Sequence, residues 1–261
     1  MGKQRERLRR VWHRVLPDFP LPLRVAPGFW WLARNDDVSD RLFAGTFEQA
    51  ERRVFAALLK PGMTVLDIGG HAGLYTLIAS KRVGPAGRVL TFEPSPRERA
   101  RLMKHLAINH CANVTVQPVA LGDADGEATL YVVHGNETGC NSLRPGDVGA
   151  SQPVQVPLRR LDDLHARGEI GHVDVVKMDV EGGELSVLKG AAAFFRAVRP
   201  VLLCEIEDAR IAPWGYNGRE IIDLMASWGY DWSGVDSNDG RLQPVVSGAT
   251  EFAGNFLARP R

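Results

Sequence analysis

Two acidic clusters, each at the end of a short apolar run, hold the side chains whose types and spacing can do chemistry in this chain. The first is Val65-Leu66-Asp67-Ile68-Gly69-Gly70-His71-Ala72-Gly73-Leu74-Tyr75, a strand that ends near Asp67, turns through glycines and starts a helix near Gly73. Glycine is needed where the backbone takes positive φ or must approach a ligand closely. Such a loop belongs at the carboxyl edge of a doubly wound sheet, where ligands bind. A pyrophosphate site asks for G-x-G-x-x-G with a helix dipole aimed at the anion. Here the glycines stand at 69, 70 and 73, and Asp67 would repel a pyrophosphate. An acid in that turn suits a cationic or hydroxyl-rich ligand instead.

Further on, Val89-Leu90-Thr91-Phe92-Glu93-Pro94 is a second strand ending in an acid, and Glu93 can accept from both hydroxyls of a ribose. A ligand that is both cationic and ribose-bearing is S-adenosylmethionine. The second acidic cluster is Val175-Val176-Lys177-Met178-Asp179-Val180-Glu181-Gly182-Gly183-Glu184, again an apolar run leading into acids and a glycine turn. Carboxylates at a sheet edge must be paired, hydrogen-bonded or protonated. Glu184 reads as a cap of the helix that follows, and Asp179 as a site residue. Leu203-Cys204-Glu205-Ile206 brings one more acid to the end of a fifth strand.

The elements that must position these residues alternate in type. Apolar runs at Thr64–Ile68, Arg88–Phe92, Val114–Val119, Val173–Met178 and Pro200–Ile206 are each followed by a helical period, starting near Gly73, Pro96, Glu184 and Gly218. Strands buried on both faces and separated by helices predict an α/β fold, a doubly wound, mostly parallel sheet. The stretch 127–158 breaks the rhythm with two alternating runs around a Gly/Asn-rich loop, which predicts an inserted β-hairpin flap. Tyr230–Val235 and Glu251–Ala258 predict two closing strands, an antiparallel pair. Residues 1–16 read as a basic amphipathic helix carrying Leu8, Val11, Trp12 and Val15 on one face, and Pro17, Pro20, Pro22 and Pro27 as breakers up to about residue 28. A helix over 46–59 is expected to be capped by Thr46. The expected division is an N-terminal helical extension over 1–44, a lid or interface, and one catalytic domain over 45–261.

The motifs V-L-D-I-G-G-H-A-G-L-Y-T, F-E-P, V-A-L-G-D (119–123), L-D-D-L (161–164) and K-M-D-V-E-G-G-E occur in the order of the FkbM family of methyltransferases, which the chain resembles over roughly residues 45–210. The resemblance implies a seven-stranded Rossmann-like class I methyltransferase sheet, S-adenosylmethionine as donor, and O-methylation of a sugar or a secondary metabolite. Donor contacts are then expected from Asp67, Gly69, Gly70, His71, Gly73, Tyr75, Glu93, Pro94, Ala120 and Asp179. His71 stands where many members carry Asn, and either side chain can donate a hydrogen bond. Methyl transfer is an in-line displacement that needs an aligned acceptor oxygen and a base. Asp179 is the first candidate for that base, Glu205 the second and His71 the third. Asn141, Ser142, Glu181 and Trp214 are the candidates for holding the acceptor; Trp30, Trp31 and Tyr216 are aromatic alternatives that serve a core equally well. Asp179 and Glu205 on adjacent strand ends resemble the metal arrangement of catechol-type enzymes, yet two acids do not complete a Mg²⁺ site although water can supply further ligands, so Mg²⁺ stays open but is not favoured.

Composition narrows the partners. Lys and Arg number 32 against 31 acids in 261 residues, and that balance gives no field that recommends nucleic acid. No apolar run approaches the about 20 residues of a membrane span, and no secretory signal is legible. Three cysteines at wide spacing argue against disulfides and for a reducing, cytoplasmic setting. A small-molecule acceptor is the expected partner, and a homodimer stays open. Two rivals stay open as well: a nicotinamide oxidoreductase, and a catalytically silent S-adenosylmethionine-binding subunit.

Overall fold

A computed structural model of the chain describes residues 19–25, 28–135, 139–144, 150–246 and 248–261. The basic stretch 1–16, Pro17 and Pro27 lie outside the described residues. What precedes residue 45 is not helical throughout. Leu21–Val25 (β1) and Phe29–Ala33 (β2) form an antiparallel ribbon, followed by helix α1 (Asp37–Ala44). Pro22 was expected to break structure, but it sits opposite Leu32 in a ribbon that has no inner strand, where a missing N–H is tolerated. Helix α1 begins where Asp36 accepts from the Ser39 N–H and ends at Gly45 in the left-handed region. The next helix, α2 (Gln49–Leu58), starts later than expected. Its N-cap is Glu48 at φ 41, without a side-chain cap, while the Thr46 hydroxyl is turned back to the Arg41 carbonyl.

Apolar runs with glycine turns build the main sheet. Strand β3 (Thr64–Ile68) leads to α3 (Leu74–Val83), β4 (Arg88–Phe92) to α4 (Pro96–Ile108), and then β5 (Val114–Gln117) follows. The chain leaves this sheet for a smaller one of β6 (Ala120–Leu121), β7 (Gly126–Val133) and β8 (Ser151–Arg159). The antiparallel β7–β8 pair occupies the stretch read from the sequence as an inserted flap. Helix α5 (Leu161–Ala166) leads back to β9 (Val175–Met178), α6 (Glu184–Lys189), α7 (Ala192–Val198) and β10 (Val201–Glu207). Helices α8 (Asp208–Ile211) and α9 (Gly218–Ser227), then β11 (Tyr230–Val235), β12 (Leu242–Pro244) and β13 (Ala253–Pro260), complete the fold. The order across the sheet is β12-β11-β13-β10-β9-β3-β4-β5, with β13 antiparallel between β10 and β11. The sheet thus has eight strands instead of seven; the three-residue β12 adds to the edge of β11 because the turn before it brings Leu242 back against Val235.

Alternation along the strands divides the core. On β10, Leu202, Cys204 and Ile206 join the cluster under α6, α7 and α9, while Leu203 joins the one under α3, α4 and the N-terminal ribbon. Val175 and Leu257 share that second face, so Lys177, Glu205 and Asn255, two residues away on their strands, emerge there too.

The ribbon is clipped to α4 by two buried polar residues. Trp31 stacks on His105 at 4.1 Å. The His105 Nε2 accepts from the Leu32 N–H at 2.9 Å, and Nδ1 lies 2.7 Å from the Ala72 carbonyl, so Nδ1 must carry the proton. Asn109 exchanges two hydrogen bonds with the Trp30 backbone, both at 2.7 Å. Burial lowers the imidazole to about 4 from an ordinary 6.5, so it stays neutral; its contribution is complete above about pH 6.5 and is lost as the pH falls toward 4. Replacing it with alanine, His105→Ala, is expected to lower unfolding free energy by about 2–4 kcal/mol at pH 7, through the lost stack and two orphaned backbone groups. Urea unfolding checks this, and a loss below about 1 kcal/mol would show that the clip carries little.

Candidate active site

The two loops singled out by their acids touch backbone to backbone. The Gly69 and Gly70 N–H groups donate to the Phe92 carbonyl at 3.0 and 3.1 Å, and the Asp179 N–H donates to the Ile68 carbonyl at 2.9 Å. Gly69 has φ +85, and a Cβ there would lie 1.8 Å from the Asp179 carbonyl oxygen. Only glycine permits that approach.

Beside this junction, Glu93 stands at the mouth of an apolar slot walled by Phe92, Pro94, Ala120, Leu130 and Leu143. Its two oxygens accept from the His71 and Ser95 N–H groups, both at 2.7 Å. Burial pushes this carboxyl up to about 8 despite those bonds. Each oxygen keeps a second lone pair for a ligand hydroxyl.

Across the sheet, Asp67, Lys177 and Leu203 lie in one row, and Glu205 is in register with Asn255 one step nearer the carboxyl edge. Asp179, Glu181 and Glu205 each offer an oxygen within 4.8 Å of the others. Glu205 is driven well above the usual carboxylate range, first by Asp179 beside it and then by burial. Glu181 is pushed up to about 8 by burial and by Asp179, against the Arg210 guanidinium, whose Nε is 3.2 Å away. Into this group projects Lys177, 1% exposed, with Nζ 3.5 Å from Asp179 Oδ2 and 4.9 Å from the centroid of the Tyr75 ring. Burial alone would lower its ammonium, but Asp179, Glu205 and Glu48 outweigh it and raise it. Three carboxylates are a hard oxygen set that a divalent cation can use; Lys177 and Arg210 already supply positive charge to the same oxygens.

Asp67 is itself buried, accepts from the Thr76 hydroxyl and is raised to about 6 by burial. With Tyr75, whose hydroxyl donates to Glu48 at 2.6 Å, it lines a small recess that also holds Lys177. A much larger cleft of 990 Å³ opens over the acids, between α1, the flap and α8. Ser142, Glu181, Glu205 and His71 line it, whereas Asn141 and Trp214 lie on the Glu93 slot. Gly70 and Gly73 shape the loop, Gly73 as N-cap of α3. The His71 ring is directed to α4, with Nε2 3.3 Å from Glu98.

Several polar groups expected to meet a ligand are engaged internally. Asn141 accepts from the Val133 N–H at 2.9 Å, and the Ser142 hydroxyl donates to the Glu181 carbonyl at 2.8 Å, which ties the flap to the acidic loop. Glu184 accepts from the Val180 and Gly182 N–H groups of the preceding turn; the helix it begins has Gly183 as N-cap and no side-chain cap, so Glu184 braces the turn instead of capping the helix. Trp31 is core, and the Tyr216 hydroxyl donates to the Gly182 carbonyl. Sequence reasoning assigned no role to Lys177, Glu48 or Arg210. Lys177 did leave a signal, a lone lysine inside the apolar run Val175–Met178, where an unpaired charge is untenable.

This strand order, with ligand-facing loops at the carboxyl edge, is the Rossmann-like class I methyltransferase fold. The profile of the Methyltransferase FkbM domain matches residues 67–232, more than half of the chain, which therefore belongs to that family. Methyltransferase 1 of Beauveria bassiana is 29% identical over 149 residues, 48% of this chain; the match spans 57%, little more than half, of that protein's length. The 2-O-methyltransferase NoeI of Sinorhizobium fredii is 25% identical over 193 residues, covering 69% of this chain and 78% of that protein. The crystal structure of Methyltransferase FkbM from Methylobacillus flagellatus superposes with a TM-score of 0.46 at 15% identity, covering 85% of this chain and 52% of that one.

The charge balance makes a prediction that needs no substrate. Lys177→Met strands the facing carboxylates, so unfolding free energy should drop by about 3–5 kcal/mol at pH 8. At pH 5 the drop should be smaller, because Glu181, raised to about 8, then binds a proton and sheds the repulsion. Urea titrations at both pH values check this; an equal loss at both would show that the lysine matters for packing alone.

Proposed function

We propose that this chain is an S-adenosylmethionine-dependent O-methyltransferase acting on a hydroxyl of a small molecule, a sugar or a secondary metabolite, in natural product biosynthesis. The observation that carries the reading is Glu93 at the mouth of an apolar slot that opens beside the Asp179–Glu205 acids. Glu93 would accept from the donor's ribose hydroxyls, and Pro94, Ala120 and the flap residue Leu130 would hold its adenine. The acids would favour the positive charge of its sulfonium. The name of NoeI, a 2-O-methyltransferase, supports a hydroxyl acceptor.

The donor's carbon–sulfur bond is already activated, so the protein has to align the acceptor and receive a proton. The acceptor enters the large cleft, past Ser142 and Glu181. The donor would supply an activated methyl group to the acceptor's hydroxyl oxygen and leave as S-adenosylhomocysteine, and Asp179 would take the proton that the hydroxyl gives up. Glu205, held protonated beside Asp179, donates a hydrogen bond that orients the acceptor. His71, with its ring on Glu98, ranks behind both as a base. The segment before residue 45 walls the cleft through Asp37, Val38 and Arg41, in keeping with a lid. No helix among the described residues is long and apolar enough to cross a membrane, and a cytoplasmic site of action with small-molecule partners is part of the proposal.

Mass spectrometry of small-molecule pools incubated with methyl-labelled donor tests the reading. Wild type is expected to shift at least one species by the labelled methyl mass, and Asp179→Ala to cut that yield by about 10²-fold or more while still binding S-adenosylhomocysteine. Undiminished labelling in the variant would remove Asp179 from the base role. Donor binding with no labelled product from any pool would favour the silent subunit. Chelator is expected to leave turnover unchanged, because Lys177 and Arg210 already neutralise the acids; a loss restored by Mg²⁺ would overturn that point.

A further inference from the structure

On the far side of α2 from the acidic cleft, α1, α2 and α3 border a groove of 550 Å³ whose lining carries Arg24, Arg52, Arg53 and Arg82 and no carboxylate. Four guanidinium groups line this wall, and the acids that act on one of them, Glu48 and Glu51 on Arg52, are not part of the lining. Positions 49, 52, 53 and 56 recur at helical spacing, so α2 turns one continuous stripe into the groove. Two of the guanidinium groups are fixed by their Nε atoms on α2 carbonyls, Arg52 on Glu48 at 3.3 Å and Arg82 on Ala56 at 2.9 Å. That anchoring leaves their terminal nitrogens to serve a ligand. The Arg52 Nη1 is buried and makes no hydrogen bond within the protein.

We propose that this groove is a second binding site, for a phosphate-bearing small molecule with an apolar body. Planar guanidinium forks match phosphate oxygens two at a time, which favours phosphate over a spherical anion. Val25, Leu42, Ala57 and Ile78 form the rest of the wall and give the ligand its apolar contact. The volume falls within the range of about 300–1,000 Å³ typical of small-ligand pockets. Nothing in this assignment depends on the methyl-transfer reading.

Calorimetric titration of the full chain with phenyl phosphate, inorganic phosphate and benzyl alcohol tests the proposal, with the donor site filled by S-adenosylhomocysteine. Phenyl phosphate is expected to saturate at one per chain and inorganic phosphate to bind roughly tenfold more weakly, with benzyl alcohol giving no heat. Arg52→Gln combined with Arg82→Gln should weaken phenyl phosphate by roughly tenfold or more while the melting temperature and S-adenosylhomocysteine affinity hold. Should that variant fold poorly, the exposed Arg53→Gln serves in its place, with a smaller loss expected. No saturation by phenyl phosphate at millimolar concentration, equal affinity in the variants, or saturation by an oligouridylate alone would overturn it.

Discussion

A single buried ammonium, that of Lys177, sets the charge of the site. It lies on the central strand β9, beneath the Tyr75 ring and against Asp179, with Glu205 and Glu48 close enough to raise it further. Without a cation there, acids on three neighbouring elements would face each other in a low-dielectric interior, where like charges repel strongly. With it, the acids can be held together at the sheet edge, and proton and charge are distributed unequally among them. Glu205 and Glu181 are pushed toward their neutral forms while Asp179 has the lysine as its direct partner. Such a division lets one carboxylate accept a proton while its neighbour donates a hydrogen bond.

The scaffold serves that charge cluster by bringing backbones unusually close. The contact of Gly69 with the Asp179 carbonyl joins the loop after β3 to the loop after β9, so the slot beside Glu93 and the acids share one backbone junction. The flap closes over both through Ser142 on the Glu181 carbonyl, with Leu130 and Leu143 lying over the slot. From the other side, His105 links the Ala72 carbonyl of the glycine loop to the N-terminal ribbon. The walls of the large cleft are therefore attached to the two loops that meet at Gly69.

The parts of this arrangement legible in the sequence were those with a local signature. Apolar runs flanked by glycine announced β3, β4, β9 and β10, and the acids at their ends, Asp67, Glu93, Asp179 and Glu205, stand at one edge because parallel strands end together. The flap was legible from its change of period. What stayed hidden depends on partners distant along the chain. Pro22 looks like a breaker until Leu32 is seen opposite it, and Asn141 looks like a substrate contact until the Val133 N–H is found to occupy it. Glu48 joins the acids through a helix that begins two residues later than its composition suggests it should, given Thr46. Lys177 was visible as a letter, but its meaning lies in carboxylates contributed by β10 and α2, which no local pattern connects.

The protonation state of Lys177 is the most direct test of the account. Nuclear magnetic resonance of protein labelled with ¹³C and ¹⁵N in lysine, followed across pH with Lys177→Met assigning the signal, reads it without any substrate. The account predicts an ammonium that stays charged throughout the range in which the exposed lysines lose their protons. A Lys177 signal that titrates below them, near neutrality, would show that burial outweighs the carboxylates and would contradict the central claim.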